Sequence, residues 1–321
     1  MHAAALDVLT LGEAMALFVA QDSGPLSQVE HFARTTAGAE LNVAIGLRRL
    51  GFRVGYASRL GQDAFGDYLL ERLQAEGINH QHVQRDAHYP TGFMLKSRQT
   101  DGSDPQVQYF RQGSAASRMG VPGQQEGLLD YCLSGRWLHI TGISVALSDS
   151  LRELVFALVQ EAKRRGVRVS FDPNLRPRLW PSQALMVDTL NALAAHCDLV
   201  LPGLAEGQLL TGQRESAAIA QWYLDNGASQ VLIKLGPPGA YYASHDGHGT
   251  VPGFAVPRVV DTVGAGDGFA VGVLAGLLDG LPLPQAVRQG NAIGALVVQS
   301  PGDNDGLPDR AGLQRMLQTA A

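Results

Sequence analysis

The feature of this sequence that most constrains its fold is an alternation of short apolar strands with amphipathic helices. Residues 7–12 are typical of a buried strand that ends in a turn, residues 40–50 carry apolar side chains at helical spacing, and residues 54–58 are again strand-like. Strand–helix–strand units of this kind place parallel strands side by side and cover them with helices. The alternation returns from residue 136 onwards. We therefore predict a three-layer α/β fold with a central, mostly parallel sheet.

One internal stretch interrupts this alternation. Two strand-like segments, 91–96 and 106–110, flank a turn-rich sequence, which is typical of a hairpin. A hairpin inserted among strand–helix units is not expected to join the parallel sheet. We predict that residues 88–113, together with roughly 13–36, form a small β lid over one edge of that sheet. The whole chain, residues 1–321, is then one α/β domain.

Composition and charge exclude several classes of function. Hydrophobic residues make up 45% of the chain, which suffices for a large core, and the charged fraction of 17% argues against disorder. The formal net charge of −5 argues against a nucleic-acid-binding surface. The sequence has no signal-peptide pattern and no apolar run of about 18 residues. We expect a cytoplasmic protein that binds neither nucleic acid nor membrane.

The most informative segment is DTVGAGDGF at residues 261–269, which precedes a strongly apolar helix. Small residues before a helix let an anion approach its first N–H groups, where the helix dipole favours negative charge. Gly264, Ala265 and Gly266 would form such an anion hole. Asp267 lies in the first turn, where the dipole should keep it ionised and able to accept a proton. These residues alone fit a catalytic base and a helix cap equally well.

The rest of the chain decides between these two interpretations. It has neither a G-x-x-x-x-G-K-[ST] loop nor a G-x-G-x-x-G turn after its first strand, which disfavours the common nucleotide-binding folds. It resembles instead the ribokinase (PfkB) family of carbohydrate kinases, in the segment GAELNVA at 38–44 and again at 261–272. The resemblance covers essentially the whole chain. It implies a ribokinase-like fold, phosphorylation of a sugar by ATP, and Asp267 as the base that deprotonates the sugar hydroxyl.

The resemblance also implies which residues surround the nucleotide. Gly264, Ala265 and Gly266 match the family's anion hole. The remaining matches are Lys234, Gly236 and Gly239 beside the phosphates, Asn291 beside the adenine, and Glu206 near Mg²⁺. Glu206 matches the glutamate of an N-x-x-E motif, although Gly203 stands where the family has Asn. Family members also often bind a monovalent cation through the loop around Asp261 and Val263. ATP and Mg²⁺ are therefore the expected cofactors, with a monovalent cation as a further candidate.

A second set of residues is expected around the sugar. Two arginines that converge on a pocket suit a carboxylate, which guanidinium groups bind in a bidentate way. The segments that contain these arginines resemble the 2-keto-3-deoxygluconate kinases of the family. The residues implied by the resemblance are Gly38 and Asn42 for the sugar hydroxyls, Tyr109, Arg111 and Arg176 for the sugar acid, and Asp303 for the far end of the site.

Three alternatives remain open at this point. Kinases for this sugar acid tend to have a Tyr on the first lid strand, where this chain has Met94, and the lost hydroxyl could indicate a neutral sugar such as fructose. An NAD-dependent oxidoreductase would need the dinucleotide turn that is missing. A catalytically dead sugar-binding regulator is disfavoured by the intact GAGD sequence. The leading expectation is conversion of 2-keto-3-deoxygluconate to its 6-phosphate by a homodimer joined through the lids, because exposed lid strands need covering.

Overall fold

The computed structural model describes residues 6–99, 105–120 and 126–319. Its strands in chain order are β1 (Val8–Leu11), β2 (Met15–Ser23), β3 (Phe32–Ala37), β4 (Val54–Gly61), β5 (Asn79–Asp86), β6 (Phe93–Arg98), β7 (Val107–Phe110), β8 (Trp137–Thr141), β9 (Arg168–Asp172), β10 (Leu199–Val200), β11 (Gln230–Lys234), β12 (Gly239–Ser244) and β13 (Gly247–Pro252). Its α-helices are α1 (Ala39–Arg49), α2 (Ala64–Ala75), α3 (Leu128–Cys132), α4 (Gly142–Leu147), α5 (Asp149–Arg165), α6 (Gln183–Ala194), α7 (Leu204–Thr211), α8 (Ser216–Asp225), α9 (Ala265–Leu278), α10 (Leu283–Val297) and α11 (Arg310–Gln318).

The main sheet has nine strands within the described residues, in the order β13-β12-β11-β10-β9-β8-β1-β4-β5. The neighbours from β5 to β11 pair in parallel, and β12 and β13 add an antiparallel hairpin at one edge. Alternate residues of β1 enter different cores, because Val8 packs in one hydrophobic cluster and Leu9 and Leu11 pack in another. Helices therefore cover both faces of the sheet. This is the three-layer α/β fold that the sequence predicts.

Four strands form a second sheet, in the order β3-β2-β6-β7, which we call the lid sheet. Strands β6 and β7 are antiparallel, with Met94 opposite Tyr109, and β6 pairs in parallel with β2. The lid sheet thus contains the two segments that interrupt the strand–helix alternation. Most of the turn predicted between them, residues 100–104, lies outside the described residues.

Helix α9 positions the GAGD segment at the carboxyl edge of the parallel strands. It is buried along most of its length and packs closely on α10, where a Cβ on Gly272 would lie 2.4 Å from the Gln289 carbonyl oxygen. Its first turn lies beside the ends of β9 and β11, since Gly266 neighbours Asp172 and Lys234. Ligands of open α/β sheets bind at this edge. In the described ranges, no helix is long and apolar enough to cross a membrane.

Candidate active site

A cavity of about 240 Å³ lies between the lid sheet, the ends of β9 and β11 and the start of α9. The lid sheet contributes Met15, Met94 and Tyr109 to its wall. The residues of this wall that were expected from the sequence are Gly38, Asn42, Tyr109, Arg111, Arg176, Glu206, Lys234, Gly264, Gly266, Asp267 and Asp303. All the residues predicted to surround the sugar therefore share one cavity with the predicted base. We call it the sugar cavity.

A second cavity of about 390 Å³ adjoins the first, and we call it the nucleotide cavity. The expected nucleotide-side residues in its wall are Lys234, Gly236, Gly239, Ala265, Gly266 and Asn291. Lys234, Thr262 and Gly266 belong to both walls, so the two cavities meet at the start of α9. The side-chain amide of Asn291 donates to the Val251 and Pro252 carbonyl oxygens at 3.0 Å each, which anchors α10 to β13.

The carboxylate of Asp267 is buried where the cavities meet. Asn42 donates from Nδ2 to Asp267 Oδ2 at 2.7 Å, and Asn304 in turn donates to Asn42 Oδ1 at 3.0 Å. This chain of amides fixes the orientation of the carboxylate from the side of α1. Asn42, which the resemblance assigns to the sugar hydroxyls, therefore also holds the proposed base.

The pKa of Asp267 differs from the expectation that the helix dipole keeps it ionised. The pKa of Asp267 is raised to about 7: burial is the largest cause, the Asn42 hydrogen bond opposes it, and the nearby Asp172 carboxylate adds to the rise. Loss of hydration of the buried carboxylate therefore outweighs the influences that favour the ionised form. A pKa close to the working pH is the value that a general base requires.

The start of α9 has the geometry of an anion-binding site. Its N-cap, Gly264, has a φ of 83°, and no side chain of the described residues caps the helix. A Cβ on Gly264 would lie 2.3 Å from the Asp303 carbonyl oxygen, so only glycine fits. The Ala265 N–H makes a long 3.3 Å contact with the Thr262 carbonyl oxygen. The first N–H groups of a helix without a cap are available to a bound anion.

Lys234 provides a positive charge at the boundary of the two cavities. Its Nζ lies 2.6 Å from Asp172 Oδ2. Burial lowers the Lys234 pKa, but Asp172 and Glu206 outweigh this effect and raise it, so the ammonium is charged. A Cβ on Gly266 would lie 3.3 Å from this Nζ, which shows how close the ammonium is to the anion site.

The two arginines in the sugar cavity have different environments. Arg111 is buried and forms an ion pair with Glu13, whose other carboxylate oxygen accepts a hydrogen bond from Ser114. Arg176 is partly buried, and its Nη1 donates to the Leu175 carbonyl oxygen at 2.9 Å. The Arg111 charge is thus balanced by a neighbour, which the sequence did not predict. Among the described residues, Arg176 forms no ion pair with a carboxylate.

Glu206 lies in the first turn of α7 and caps the start of this helix. Its Oε1 accepts the Leu175 N–H and its Oε2 accepts the Gly203 N–H, both at 2.7 Å. The described part of the chain contains no group of three or more His, Cys, Asp or Glu side chains that could hold a metal ion. Mg²⁺ in kinase sites is usually held by one or two carboxylates together with substrate phosphates and water. A metal-binding role for Glu206 therefore stays a prediction.

Sequence reasoning assigned no role to several residues of this region, among them Lys96 and Asn174. Lys96 of β6 is buried and paired with Asp261 and Asp303. Because Lys96 lies two residues after Met94, both side chains lie on the same face of β6, and this spacing was the signal in the sequence that Lys96 is buried. Asn174 follows β9 with a φ of 40°, and its Nδ2 lies 3.5 Å from Asp267 Oδ1. Asn adopts this left-handed backbone more readily than most residues other than glycine, and residues in such conformations cluster at active sites.

The family model for pfkB family carbohydrate kinases matches residues 5–310. The match includes the lid sheet, both cavities and the GAGD segment. The chain belongs to the pfkB family of carbohydrate kinases. This kinase is similar to the 2-dehydro-3-deoxygluconokinase of Bacillus subtilis (strain 168), with 50% identity over 97% of this chain and 95% of the relative. It is also similar to the 2-dehydro-3-deoxygluconokinase of Thermoproteus tenax, with 33% identity over 98% and 95% of the two chains.

Solved structures give the same result for the fold of the kinase. A PfkB protein from Polaromonas sp. JS666 has 50% identity and a TM-score of 0.88, covering 97% of this chain and 99% of that chain. A putative ribokinase II from E. coli, in complex with ATP and Mg²⁺, has 26% identity and a TM-score of 0.88 over 98% and 99% of the chains. A fructokinase double mutant from Vibrio cholerae O395, bound to fructose, ADP and potassium, has 27% identity and a TM-score of 0.84 over 98% and 100%. These findings confirm the predicted family and the ribokinase-like fold.

Proposed function

We propose that this kinase transfers the terminal phosphoryl group of ATP to 2-keto-3-deoxygluconate, also called 2-dehydro-3-deoxygluconate, and forms the 6-phosphate. The observation that carries the proposal is that Arg111 and Arg176 line the same cavity as Asp267. Guanidinium groups suit the carboxylate of a sugar acid, and a carboxylate with a raised pKa suits deprotonation of its hydroxyl. The 50% identity with the Bacillus subtilis enzyme supports the same substrate.

In the proposed reaction, Asp267 accepts the proton of the sugar hydroxyl while the hydroxyl oxygen attacks the γ-phosphorus of ATP. The bond between that phosphorus and its bridging oxygen breaks, and ADP leaves with the electrons of the bond. The N–H groups of Gly264, Ala265 and Gly266 would stabilise the negative charge of the transferred group. Asn42 would keep the Asp267 carboxylate in place through its 2.7 Å hydrogen bond.

The nucleotide cavity fits the remainder of ATP. Its wall includes the apolar side chains of Phe254, Val256 and Val298, which suit an aromatic base, and it extends to Lys234 and Gly266 at the anion site. The complex of the E. coli relative with ATP and Mg²⁺ supports the same pair of ligands for this chain.

Mg²⁺, when bound with the nucleotide, supplies positive charge that neutralises the phosphates. Asp172 and Glu206 are carboxylates of the sugar-cavity wall that would hold its water ligands. Because Glu206 accepts the Gly203 and Leu175 N–H groups, its orientation does not depend on the metal.

The two arginines are proposed to contribute unequally to selection of the acid. Arg111 and Glu13 together carry no net charge, whereas Arg176 adds one positive charge to the cavity. A carboxylate that leaves water needs a cationic partner, or its burial is costly. Arg176 is therefore the main electrostatic determinant, and Arg111 supplies further N–H donors.

Fructose is the second candidate substrate, and two observations favour it. Glu13 already balances the Arg111 charge, and Met94 instead of a Tyr lies opposite Tyr109 in the lid sheet. Both features make the sugar cavity less cationic and less polar than a site that is built only for an acid. The Vibrio cholerae fructokinase has a related fold.

We also propose that residues 1–321 form one domain whose lid sheet closes over the sugar and joins two copies of the chain. Tyr109 and Phe110 of the edge strand β7 are 43% and 47% exposed. An exposed edge strand with large apolar side chains pairs readily with another chain. A homodimer through the lid sheets would cover both.

The test of the proposed function is ATP consumption with a panel of sugars, namely 2-keto-3-deoxygluconate, 5-dehydro-2-deoxygluconate, fructose, ribose and a nucleoside. We expect kcat/KM for 2-keto-3-deoxygluconate to exceed that for fructose by at least about 100-fold, because an unsatisfied polar site rejects a neutral analogue. A higher kcat/KM for fructose than for 2-keto-3-deoxygluconate would support kinase activity but refute the sugar acid as the substrate. Turnover with none of these sugars would refute both.

A further inference from the structure

Three charged side chains meet between the lid sheet and the start of α9. Lys96 of β6 is 1% exposed and forms ion pairs with the buried carboxylates of Asp261 and Asp303, the latter at 2.7 Å. Burial lowers the Lys96 pKa, but the two carboxylates outweigh this effect and raise it. One charged ammonium group therefore faces two carboxylates, and all three residues are almost fully buried.

Both carboxylates belong to segments that shape the anion hole. Asp261 Oδ1 accepts the Val263 N–H at 2.9 Å, which fixes the residue before Gly264. The backbone of Gly264 packs directly on Asp303, since a Cβ there would lie 2.3 Å from the Asp303 carbonyl oxygen. Lys96 is absent from the described walls of both cavities. It therefore holds the two segments together without lining either binding cavity.

This arrangement disagrees with one expectation from the family resemblance, which was a monovalent cation bound through the loop around Asp261 and Val263. Here the Asp261 carboxylate is already paired with an ammonium group. Its other oxygen, Oδ1, already accepts the Val263 N–H, so a second cation would find no free oxygen on Asp261 and would lie next to the ammonium group. The described residues therefore do not fit an alkali-metal ion at Asp261.

We infer that the Lys96 ammonium takes the structural place of a monovalent cation beside the anion hole, so that this kinase works without such an ion. Lys96 is thus a positioning residue, since it acts through Asp261, Asp303 and the backbone of Gly264. It also ties the lid sheet to the phosphate-binding segment. The inference rests on the proposed kinase activity, but it does not depend on which sugar is phosphorylated.

The first test uses the unmodified enzyme with whichever sugar it phosphorylates. Its kcat is compared in potassium chloride, sodium chloride and tetramethylammonium chloride at equal ionic strength. Because the ammonium group is part of the chain, we expect kcat to differ by less than about twofold among the three salts. A larger stimulation by potassium would overturn the inference without any variant. A complete lack of turnover with every sugar would instead refute the proposed function.

The second test removes the charge with Lys96→Met, which keeps most of the side-chain volume. In tetramethylammonium we expect kcat to fall at least about tenfold, because disturbing an anion hole lowers kcat in other enzymes. The KM values should change less than about threefold. Potassium should restore part of the loss, because two carboxylates are left without a partner. The matched control is Lys163→Met, whose exposed Lys163 lies at the end of α5. Full activity of Lys96→Met in tetramethylammonium would contradict the inference.

A third readout is thermal unfolding, which is independent of any sugar. A ligand that binds only the folded state raises its stability. Potassium should therefore raise the Tm of Lys96→Met above its value in tetramethylammonium and leave the unmodified enzyme and Lys163→Met unchanged. Equal Tm values of Lys96→Met in both salts, together with no recovery of kcat, would overturn the inference. If Lys96→Met does not fold, the comparison of kcat in the three salts with the unmodified enzyme still tests whether the kinase needs a monovalent cation.

Discussion

At the scale of single residues, the Asp267 carboxylate is subject to opposing influences. Burial raises its pKa and the hydrogen bond from Asn42 lowers it, with a net value of about 7. Since only the ionised form accepts a proton, we predict that kcat/KM falls as the pH drops below about 7, tenfold per unit, and levels off above it. The measurement is a pH–rate profile at saturating ATP and Mg²⁺. A flat profile from about pH 5 to pH 9 would contradict Asp267 as the base.

The Asn42 hydrogen bond gives this prediction a control. Asn42→Leu removes a donor that favours the ionised carboxylate, so the Asp267 pKa should rise and the acid limb of the profile should move to higher pH. The shift of the midpoint distinguishes this effect from a simple loss of sugar binding, which would lower kcat/KM at every pH.

Arg176 carries the second prediction at this scale. Arg176→Ala should weaken transition-state binding of 2-keto-3-deoxygluconate by about 2–3 kcal/mol, which appears as a lower kcat/KM. The kcat/KM for fructose should stay nearly unchanged, because only the acid needs a cationic partner. Arg178→Ala is the matched control, since Arg178 is exposed and is not part of the sugar-cavity wall. Equal losses for both sugars in Arg176→Ala would show that Arg176 acts through the fold instead.

At the scale of secondary-structure elements, the lid sheet is the part that we predict to change when sugar binds. Phosphoryl transfer requires exclusion of water, which otherwise competes with the sugar hydroxyl. We expect the amides of β6 and β7 to gain protection from hydrogen exchange when sugar is added without nucleotide. The hairpin β12–β13, which borders the nucleotide cavity, should stay unchanged. Unaltered exchange in β6 and β7 at saturating sugar would argue against closure of the lid sheet.

Elements with a strong local pattern could be predicted from the sequence, and contacts between distant segments could not. The GAGD segment and α9 carry their own signal in small residues followed by an apolar run. By contrast, the pairing of Lys96 with Asp261 and Asp303 joins residues that are far apart along the chain. The raised pKa of Asp267 was missed for the same reason, because burial by surrounding elements causes it.

At the scale of the whole molecule, the lid sheet is also the surface through which we predict dimerisation. The unmodified enzyme should sediment with twice the chain mass. Phe110→Asp should sediment as a monomer, because it places a charge on an exposed strand edge where Phe110 stacks on Phe93 with ring centroids 4.6 Å apart. Leu209→Asp is the control, because Leu209 is an exposed apolar residue on α7. A monomeric unmodified enzyme would refute the dimer without affecting the catalytic proposal.

Distant parts of the chain contribute to the candidate site: the base and the anion hole lie at the start of α9, the arginines follow β7 and β9, and Asn42 comes from α1. The family resemblance was sufficient to name these residues, but it did not reveal that Glu13 balances Arg111 or that Glu206 caps α7. Those contacts depend on how side chains from separate elements meet in the folded protein.

The central claim is that Asp267 removes the proton of a sugar hydroxyl during transfer from ATP, and Asp267→Asn tests it most directly. The amide keeps the shape and the contact region of the carboxylate but accepts no proton, so kcat should fall by about 10²–10⁴-fold while the dissociation constants of ATP and sugar stay within a few fold. Asp246→Asn, in the exposed turn between β12 and β13, is the matched control. The measurement is kcat for ATP-dependent phosphorylation of 2-keto-3-deoxygluconate by folded Asp267→Asn. A kcat near that of the unmodified enzyme would contradict the account.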